Sequence, residues 1–177
     1  MKPFRLRLTH QLLRNYGLTR QMDCYCPHPA QHGEMAYFHQ DEYLHFLKKI
    51  SATSDTKSLS SSSLIRQCQK YNVGPNQDCP AFDGLYEFNR LLTGASLDAA
   101  VQLATQQTDI AINWAGGFHH AKKAEASGFC YVNGTYCAHV RLIDFYVNHA
   151  QAMEPWGHRT CFSLIFSFPL SLFYPIH

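Results

Sequence analysis

The sequence is poor in charge, and this scarcity restricts the functions that the chain can have. Charged residues make up 16% of the 177 residues, below the roughly 25% that is usual for soluble domains. The formal net charge at pH 7 is only +2, and no run of Lys and Arg is longer than two residues. Without a basic patch or stripe, we expect no direct binding to nucleic acid.

The sequence also lacks the segments that direct a protein into a membrane or out of the cell. Residues 1–7 contain no apolar h-region, so we expect no secretory signal. The apolar stretch over residues 161–176 is shorter than the roughly 20 residues that a membrane helix needs, and Pro169 and Pro175 interrupt it. We therefore expect no membrane span. A buried strand or an unpaired, aggregation-prone tail fits this stretch better.

A disulfide framework is not expected either. The seven cysteines are an odd number with irregular spacing, which favours reduced, intracellular thiols. Cys24 and Cys26 lie close in sequence to His28 and His32, which raises the question of a metal cluster. The C-x-C spacing is not the usual zinc spacing of C-x-x-C, and two prolines among these residues favour a turn. We therefore interpret the segment as a turn.

Apolar residues make up 46% of the chain, which is enough for the core of one domain of ordinary size. Apolar periodicity predicts helices over residues 5–16, 41–50 and 96–107, the last with Ser96 as its N-cap. A short strand is predicted over 21–26. The Ser/Thr-rich stretch 51–63 and the Gly-Pro-containing stretch 72–80 are predicted to be loops.

Residues 109–114, rich in apolar and β-branched side chains, follow a predicted helix and end at Gly116 and Gly117. This pattern predicts a parallel strand of an α/β sheet, with the glycines allowing a sharp turn at its carboxyl end. Ligands bind at that edge in open α/β sheets. His119 and His120 follow the turn directly, so they lie where a functional site is expected.

Two adjacent histidines after a glycine turn can present two imidazoles to one substrate, one as general base and the other as general acid or electrostatic partner. Further on, Gly128 and Phe129 would place an aromatic wall near them, suitable for an apolar substrate arm. Physical reasoning alone slightly favours another interpretation, in which His119 and His120 cap a following helix or lie on its surface.

Residues 109–133 resemble, nearly residue for residue, the tandem-histidine segment of class I histone deacetylases and the Gly-Phe-Cys-Tyr-Val-Asn that follows it. Phe118 stands where the family usually has Leu. Other segments match family elements in the same order: Met1-Lys-Pro, Arg7-Leu-Thr-His, Asn72-Val-Gly, Asp78-Cys-Pro-Ala-Phe-Asp-Gly-Leu and Thr93-Gly-Ala-Ser. The resemblance implies a partial, incomplete α/β arginase–deacetylase fold, with a parallel sheet flanked by helices. Residues 1–133 would form the N-terminal part of the catalytic domain, and 134–177 an unrelated tail.

The resemblance also implies roles for individual residues near the expected site. His119 and His120 correspond to the paired catalytic histidines, with His120 as the general base. Gly128 and Phe129 would line the acetyl-lysine tunnel. Asp78 would be the rim carboxylate that holds the substrate backbone.

A second set of implied roles lies away from the histidine pair. Met1, Arg5 and Cys130 match positions around the internal foot cavity of the family, and Lys2 matches a residue that contacts inositol phosphate. The family uses zinc, but the segments that supply its zinc ligands and its transition-state tyrosine are absent from this sequence. We therefore expect no metal to be bound by this chain.

By resemblance, the function is zinc-dependent hydrolysis of N-acetyl-lysine on histones, in repression of transcription. Acetylated histone tails and corepressor subunits would be the partners. The nucleus would be the main compartment and the cytoplasm a second one. Because the chain is truncated at both ends relative to the family, we expect it to be inactive alone. The alternatives are a non-catalytic fragment that binds a corepressor, and a mispredicted gene product.

Overall fold

The computed structural model of the chain describes residues 3–52, 62–75 and 77–149. Met1, Lys2 and the apolar stretch 161–176 lie outside the described residues, so the expectations placed on them remain expectations. The described helices are α1 (Pro3–Asn15), α2 (His32–Ala36), α3 (Asp41–Ser51), α4 (Ser62–Tyr71), α5 (Leu85–Ala104) and α6 (Gly134–His149), with a 3-10 turn over Leu18–Arg20. None of them is long and apolar enough to cross a membrane.

The helices α1 and α3 confirm two sequence predictions to within two residues at each end. Pro3 begins α1, a place where proline costs no hydrogen bond because the first amide of a helix has no partner within it. In α3, acidic residues lie in the first turn and lysines in the last, which complements the helix dipole. The apolar face of α3 is buried and forms the centre of the main core: Tyr43, Leu44, Phe46, Leu47 and Ile50.

The start predicted for the third helix is wrong. Instead of beginning at Ser96, α5 begins at Leu85, directly after Gly84 in the left-handed region at φ 74°. Ser96 lies in the middle of α5 as a buried residue, and its hydroxyl donates to the Leu92 carbonyl at 3.4 Å. A serine in mid-helix satisfies itself in this way, so its presence does not mark a helix start.

Gly94 allows another segment of the chain to approach the backbone of α5 closely. A Cβ atom built on Gly94 would lie 1.8 Å from the carbonyl oxygen of His28. The segment around Ala30 therefore runs directly against the backbone of α5 at this glycine. Nearby, the Ala30 amide donates to the Arg90 carbonyl at 2.9 Å, and Arg90 Nε donates to the Ala30 carbonyl at 2.7 Å.

The parallel sheet predicted for an α/β fold is not seen. The described part of the chain contains helices and three isolated β-bridges, at Val73–Cys79, Lys122–Glu125 and Ser127–Cys130, but no strand. The described residues therefore do not confirm the strands predicted over 21–26 and 109–114. Ile110 is 69% exposed and Ile112 36% exposed. Parallel strands are normally buried on both faces, and among the described residues no neighbouring strand covers these two side chains.

The loop predictions have mixed outcomes. Residues 72–80 do connect α4 to α5, with Asn76 outside the described residues. The prediction of a loop over 51–63 is wrong at both ends, because Ser51 belongs to α3, and Ser62 and Ser63 belong to α4. Residues 53–61 are not described.

Two clusters of buried side chains organise the described chain. The main core joins α2, α3, α4, α5 and α6 around α3, and includes Tyr131 and Val132 just before α6. A smaller cluster, which we call the small core, brings together side chains from α1, α5 and residues 118–130: Leu6, Leu92, Phe118, Ala121 and Cys130. Helix α6 packs along α5. The small core lies under the histidine pair and anchors it.

Candidate active site

The residues on either side of the histidine pair in sequence are buried in the small core. Phe118 and Ala121 are buried, whereas His119 and His120 between them are exposed. Phe118, the one departure from the family pattern in this segment, fills the small core. Burial of the flanking side chains therefore holds the backbone and leaves both imidazoles facing outward.

The glycine turn before the histidines is present, as the sequence predicted. Gly117 has φ 94°, and the Gly116 amide donates to the Asn113 carbonyl at 3.0 Å. The side-chain amide of Asn113 donates to the Leu92 carbonyl at 3.1 Å and to the Ser96 hydroxyl oxygen at 2.9 Å. Buried Asn113 thus ties the turn to α5, and Ser96 acts as its hydrogen-bond partner instead of as a helix cap.

The two imidazoles lie side by side. Their ring centroids are 4.1 Å apart, and the ring planes are tilted by 38°. His119 Nδ1 lies 3.0 Å from the Gly117 carbonyl oxygen, which can only accept, so Nδ1 carries the proton. In neutral His119, Nε2 is then the nitrogen that can accept a proton. Two adjacent rings with accessible nitrogens can take up and deliver a proton at one place.

Gly128 lies directly against the His120 side chain. A Cβ atom at Gly128 would lie 2.8 Å from His120 Cβ and 2.9 Å from its Cγ, and the glycine has φ +51°. Any larger residue would have to displace the imidazole. The tight turn is closed by Ser127 and Cys130, whose amides and carbonyls pair at 3.0 and 2.8 Å. Phe129 at its tip is 59% exposed and has φ 62°, so an exposed aromatic residue directly follows the glycine that lies against His120.

The remaining predicted site residues lie in different surroundings. Cys130 is buried in the small core together with Leu6 of α1, and burial raises the pKa of its thiol. Arg5, the residue before Leu6, is exposed. Asp78 is exposed on the loop that precedes α5. The structure thus brings Leu6 of α1 next to Cys130, whereas Met1 and Lys2 are outside the described residues, so the foot-cavity roles remain predictions.

Two buried polar residues were missed from the sequence. His39, at the turn between α2 and α3, is 2% exposed, and Asn133, directly before α6, is 7% exposed. The Asn133 amide N–H donates to His39 Nε2 at 2.9 Å, and the Asn133 side chain reaches the histidine segment. Asn133 stands before Gly-Thr at a helix start, a signal that could have identified a cap. No local pattern could have paired it with a residue 94 positions away.

The described residues do not provide a metal site. Among them, no three or more His, Cys, Asp or Glu side chains are grouped so as to hold a metal ion. Cys24 and Cys26 are exposed free thiols. His28 is instead bound to Asp98 and Glu34 at 2.6 and 3.2 Å. The donor set around the histidine pair therefore does not fit zinc, and we derive no catalytic step through a metal.

In this arrangement a glycine turn presents two exposed imidazoles side by side, a geometry that is suited to acid–base chemistry. Comparison with known proteins identifies the family of the chain. The family model of the histone deacetylase domain matches residues 1–149, a range that runs past residue 133 and through α6. The chain belongs to the histone deacetylase family.

Individual relatives also place the chain in the histone deacetylase family. The chain is 52% identical to histone deacetylase 1 of Homo sapiens over 146 residues, which cover 82% of this chain and 29% of that protein. It is 49% identical to histone deacetylase HDAC1 of Drosophila melanogaster over 163 residues, 87% of this chain and 30% of that protein. For histone deacetylase 19 of Arabidopsis thaliana the identity is 44%, covering 87% and 31%. The chain thus spans less than a third of the length of these relatives.

Proposed function

We propose that this chain carries the acid–base part of a zinc-dependent protein lysine deacetylase site, and that it does not hydrolyse acetyl-lysine alone. The observation that carries the proposal is the exposed His119–His120 pair, with ring centroids 4.1 Å apart, on a buried and glycine-turned segment. Membership of the histone deacetylase family supports it. We further propose that the chain contributes to the parallel sheet of an arginase–deacetylase fold, with Ile110 and Ile112 in a strand that its neighbours complete.

In this proposal His120 is the general base, and His119 is its partner in proton transfer. His120 is suited to the role because the backbone of Gly128 confines its ring, and a general base has to be held within hydrogen-bond reach of the proton that it takes. Phe129 offers its exposed ring as a wall for the aliphatic arm of acetyl-lysine. Asp78 is the rim carboxylate that holds the substrate backbone.

The chain alone lacks the other half of this chemistry. In the family, bound zinc supplies an activated water and polarises the substrate carbonyl. The described residues do not offer ligands for it. His119 and His120 would then face an unactivated water and an unpolarised amide, and proximity without a nucleophile gives little rate. Activity of the chain alone should be at background level.

The names of the relatives support the biological setting. Since they are named histone deacetylases, we propose acetylated histone tails as substrates. Corepressor subunits are proposed as partners because the sequence resembles class I histone deacetylases. The nucleus is the proposed compartment, with the cytoplasm as a second one. We also propose that Lys2 binds inositol phosphate, and that Met1, Arg5 and Cys130 surround the foot cavity.

The experiment compares hydrolysis of an acetylated histone-tail peptide by the chain alone and by the chain co-expressed with the remaining part of the human relative. Alone, with or without added zinc, the chain should match the no-enzyme control. Together, the two parts should give hydrolysis that is zinc-dependent, blocked by a hydroxamate chelator and lost in His120→Ala. Equal rates for His120→Ala and wild type in the combined preparation would refute the proposed role of His120.

A second candidate function, non-catalytic binding of a corepressor, is favoured by the surface of α1. An apolar row at i, i+4 spacing runs along this helix and ends at the residue just after it, with exposed fractions between 48% and 73%: Phe4, Leu8, Leu12 and Tyr16. Exposed apolar surface of this kind marks interaction sites. Binding of a corepressor subunit to wild type, weakened by Leu8→Ser and Leu12→Ser, would support this candidate. Unchanged binding by these variants would exclude α1 as the contact.

A further inference from the structure

The side-chain amide of Asn133 fastens the backbone on both sides of His120. Its Nδ2 group donates to the His119 carbonyl at 2.9 Å and to the Ala121 carbonyl at 3.1 Å. These are the carbonyls of the residues just before and just after His120. One planar amide with two N–H bonds in a fixed geometry thus sets the path of the segment from which the imidazole projects.

The carbonyl oxygen of the same side chain is also used. Asn133 Oδ1 accepts the Tyr136 amide N–H at 2.9 Å, which makes Asn133 the N-cap of α6. If residue 133 served only as the N-cap of α6, Asp or Ser would serve equally well, since both are good N-caps. Only Asn, among the preferred caps, has two side-chain N–H donors as well, so the contact with the histidine segment explains its identity here.

His39 is hydrogen-bonded to the backbone of Asn133. Its Nε2 accepts the Asn133 backbone N–H at 2.9 Å, while its Nδ1 lies 3.3 Å from the Lys123 carbonyl oxygen. Only the neutral tautomer with the proton on Nδ1 satisfies both contacts, because an imidazolium donates from both nitrogens. Burial lowers the pKa of His39 to about 4, so this tautomer prevails at neutral pH. The ring thereby joins the end of the histidine segment to the start of α6.

We propose that Asn133 is a positioning residue for the histidine pair, and that neutral His39 orients Asn133 for this role. The proposal rests on the proposed function, since it takes His120 to be the general base. Neither residue touches substrate. Each acts by fixing the backbone that carries the two imidazoles.

Two substitutions separate the capping role of Asn133 from its positioning role. Asn133→Asp and Asn133→Ser both keep an oxygen that can cap α6, but both remove the N–H donors to the His119 and Ala121 carbonyls. Asn148→Asp is the matched control, because Asn148 is an exposed residue of α6 whose side-chain amide donates to Asp144, away from the histidine segment. All variants are made in the full chain.

The first readout is structural and needs no activity. In wild type, rings with centroids 4.1 Å apart should give nuclear Overhauser contacts between the His119 and His120 ring protons. These contacts should be lost in Asn133→Asp and Asn133→Ser, while the α6 amides keep their protection from hydrogen exchange. Asn148→Asp should leave both readouts unchanged.

The second readout uses the chain combined with the remaining part of the human relative. There, kcat should fall about a hundredfold in Asn133→Asp, the loss expected when a catalytic group is misplaced by about 1 Å. KM should stay within about twofold, because the substrate-binding residues are untouched. His39→Phe, which removes both ring nitrogens, should lower kcat as well, and His39→Gln, which can still donate and accept, should restore part of it.

The outcomes of the two readouts either support or overturn the positioning role of Asn133. Ring contacts that persist in both Asn133 variants would overturn the proposal. Loss of α6 protection together with the ring contacts in both variants would reduce Asn133 to a helix cap, which also overturns it. If the ring contacts are lost as expected but no His120-dependent hydrolysis is found in the combined preparation, the positioning role stands and the proposed function fails.

Discussion

Replacing His39 with glutamine should make the fold less sensitive to acid between pH 7 and pH 4. Burial lowers the pKa of His39 from its ordinary value of 6.5 to about 4. Between these two values the unfolded chain binds a proton that the folded chain refuses, so acid favours unfolding. The stability contributed by neutral His39 is complete above the unfolded pKa and is lost as the pH falls towards the folded one.

The size of the effect follows from the two pKa values. They differ by about 2.5 pH units, and each unit corresponds to about 1.4 kcal/mol. Linkage then costs the folded state about 2 kcal/mol at pH 5 and about 3 kcal/mol at pH 4. Against a total free energy of unfolding of about 5–15 kcal/mol for a domain, this loss is easily measured.

The assay is urea unfolding of wild type and His39→Gln at pH 7, 5 and 4. Glutamine can accept from the Asn133 amide and donate to the Lys123 carbonyl without titrating, so the difference between the two proteins cancels the other ionisable groups. At pH 7 wild type should be the more stable protein. Its advantage should shrink by about 2 kcal/mol at pH 5 and should have shrunk further at pH 4.

A variant that is merely less stable serves as the control. Val132→Ala removes buried apolar volume next to Asn133 and changes no ionisable group, so its pH profile should run parallel to that of wild type. A His39→Gln profile that is also parallel to wild type would refute the linkage. So would a His39 ring that titrates near its ordinary pKa in the folded chain.

Three further predictions concern other parts of the fold. Gly94→Ala should lower the free energy of unfolding by about 3 kcal/mol, the upper range of overpacking, because its Cβ would lie 1.8 Å from the His28 carbonyl oxygen; urea unfolding at the wild-type midpoint would contradict this. Burial opposes protonation of His28, but its bonds to Glu34 and Asp98 outweigh burial and raise its pKa. Wild type should therefore be more stable than His28→Gln below pH 6.5, with the advantage lost as the pH rises through the raised pKa; a constant advantage up to about pH 9 would exclude the ion pairs as its source. Elemental analysis of purified, thiol-reduced protein should find no stoichiometric zinc, whereas one tightly bound equivalent would contradict that expectation.

The helices that could be predicted are those in which apolar residues recur with helical periodicity and form the buried face of the helix. The five apolar residues of α3 fall on one face, and all five are buried. The start of α5 could not be predicted in this way, because Gly94 and Ser96 interrupt the pattern. Their reasons are tertiary: Gly94 admits the His28 carbonyl, and Ser96 binds Asn113. Local periodicity cannot reveal contacts of that kind.

The strand predicted over 109–114 shows that local β-propensity alone does not establish a strand. Its residues have β-propensity, but a strand exists only when another strand pairs with it, and none is present among the described residues. The residues of the candidate site differ in how far local sequence can reveal them. The glycine turn and the paired histidines stand next to each other in sequence, whereas His39 and Asn133 meet across 94 residues.

These long connections bear on when the site can form during synthesis. The contacts that join the region around α3 to the histidine segment and its end close chain loops of 84 to 94 residues: His39 to Lys123, Tyr43 to Tyr131, and His39 to Asn133. Closing such loops costs chain entropy before any contact is gained, and topologies of this kind fold slowly. A growing chain can bury the face of α3 early, but it cannot fasten the histidine pair until Asn133 has left the ribosome. Arrest of translation before that residue should yield a chain with helices already formed and the two imidazoles still unordered.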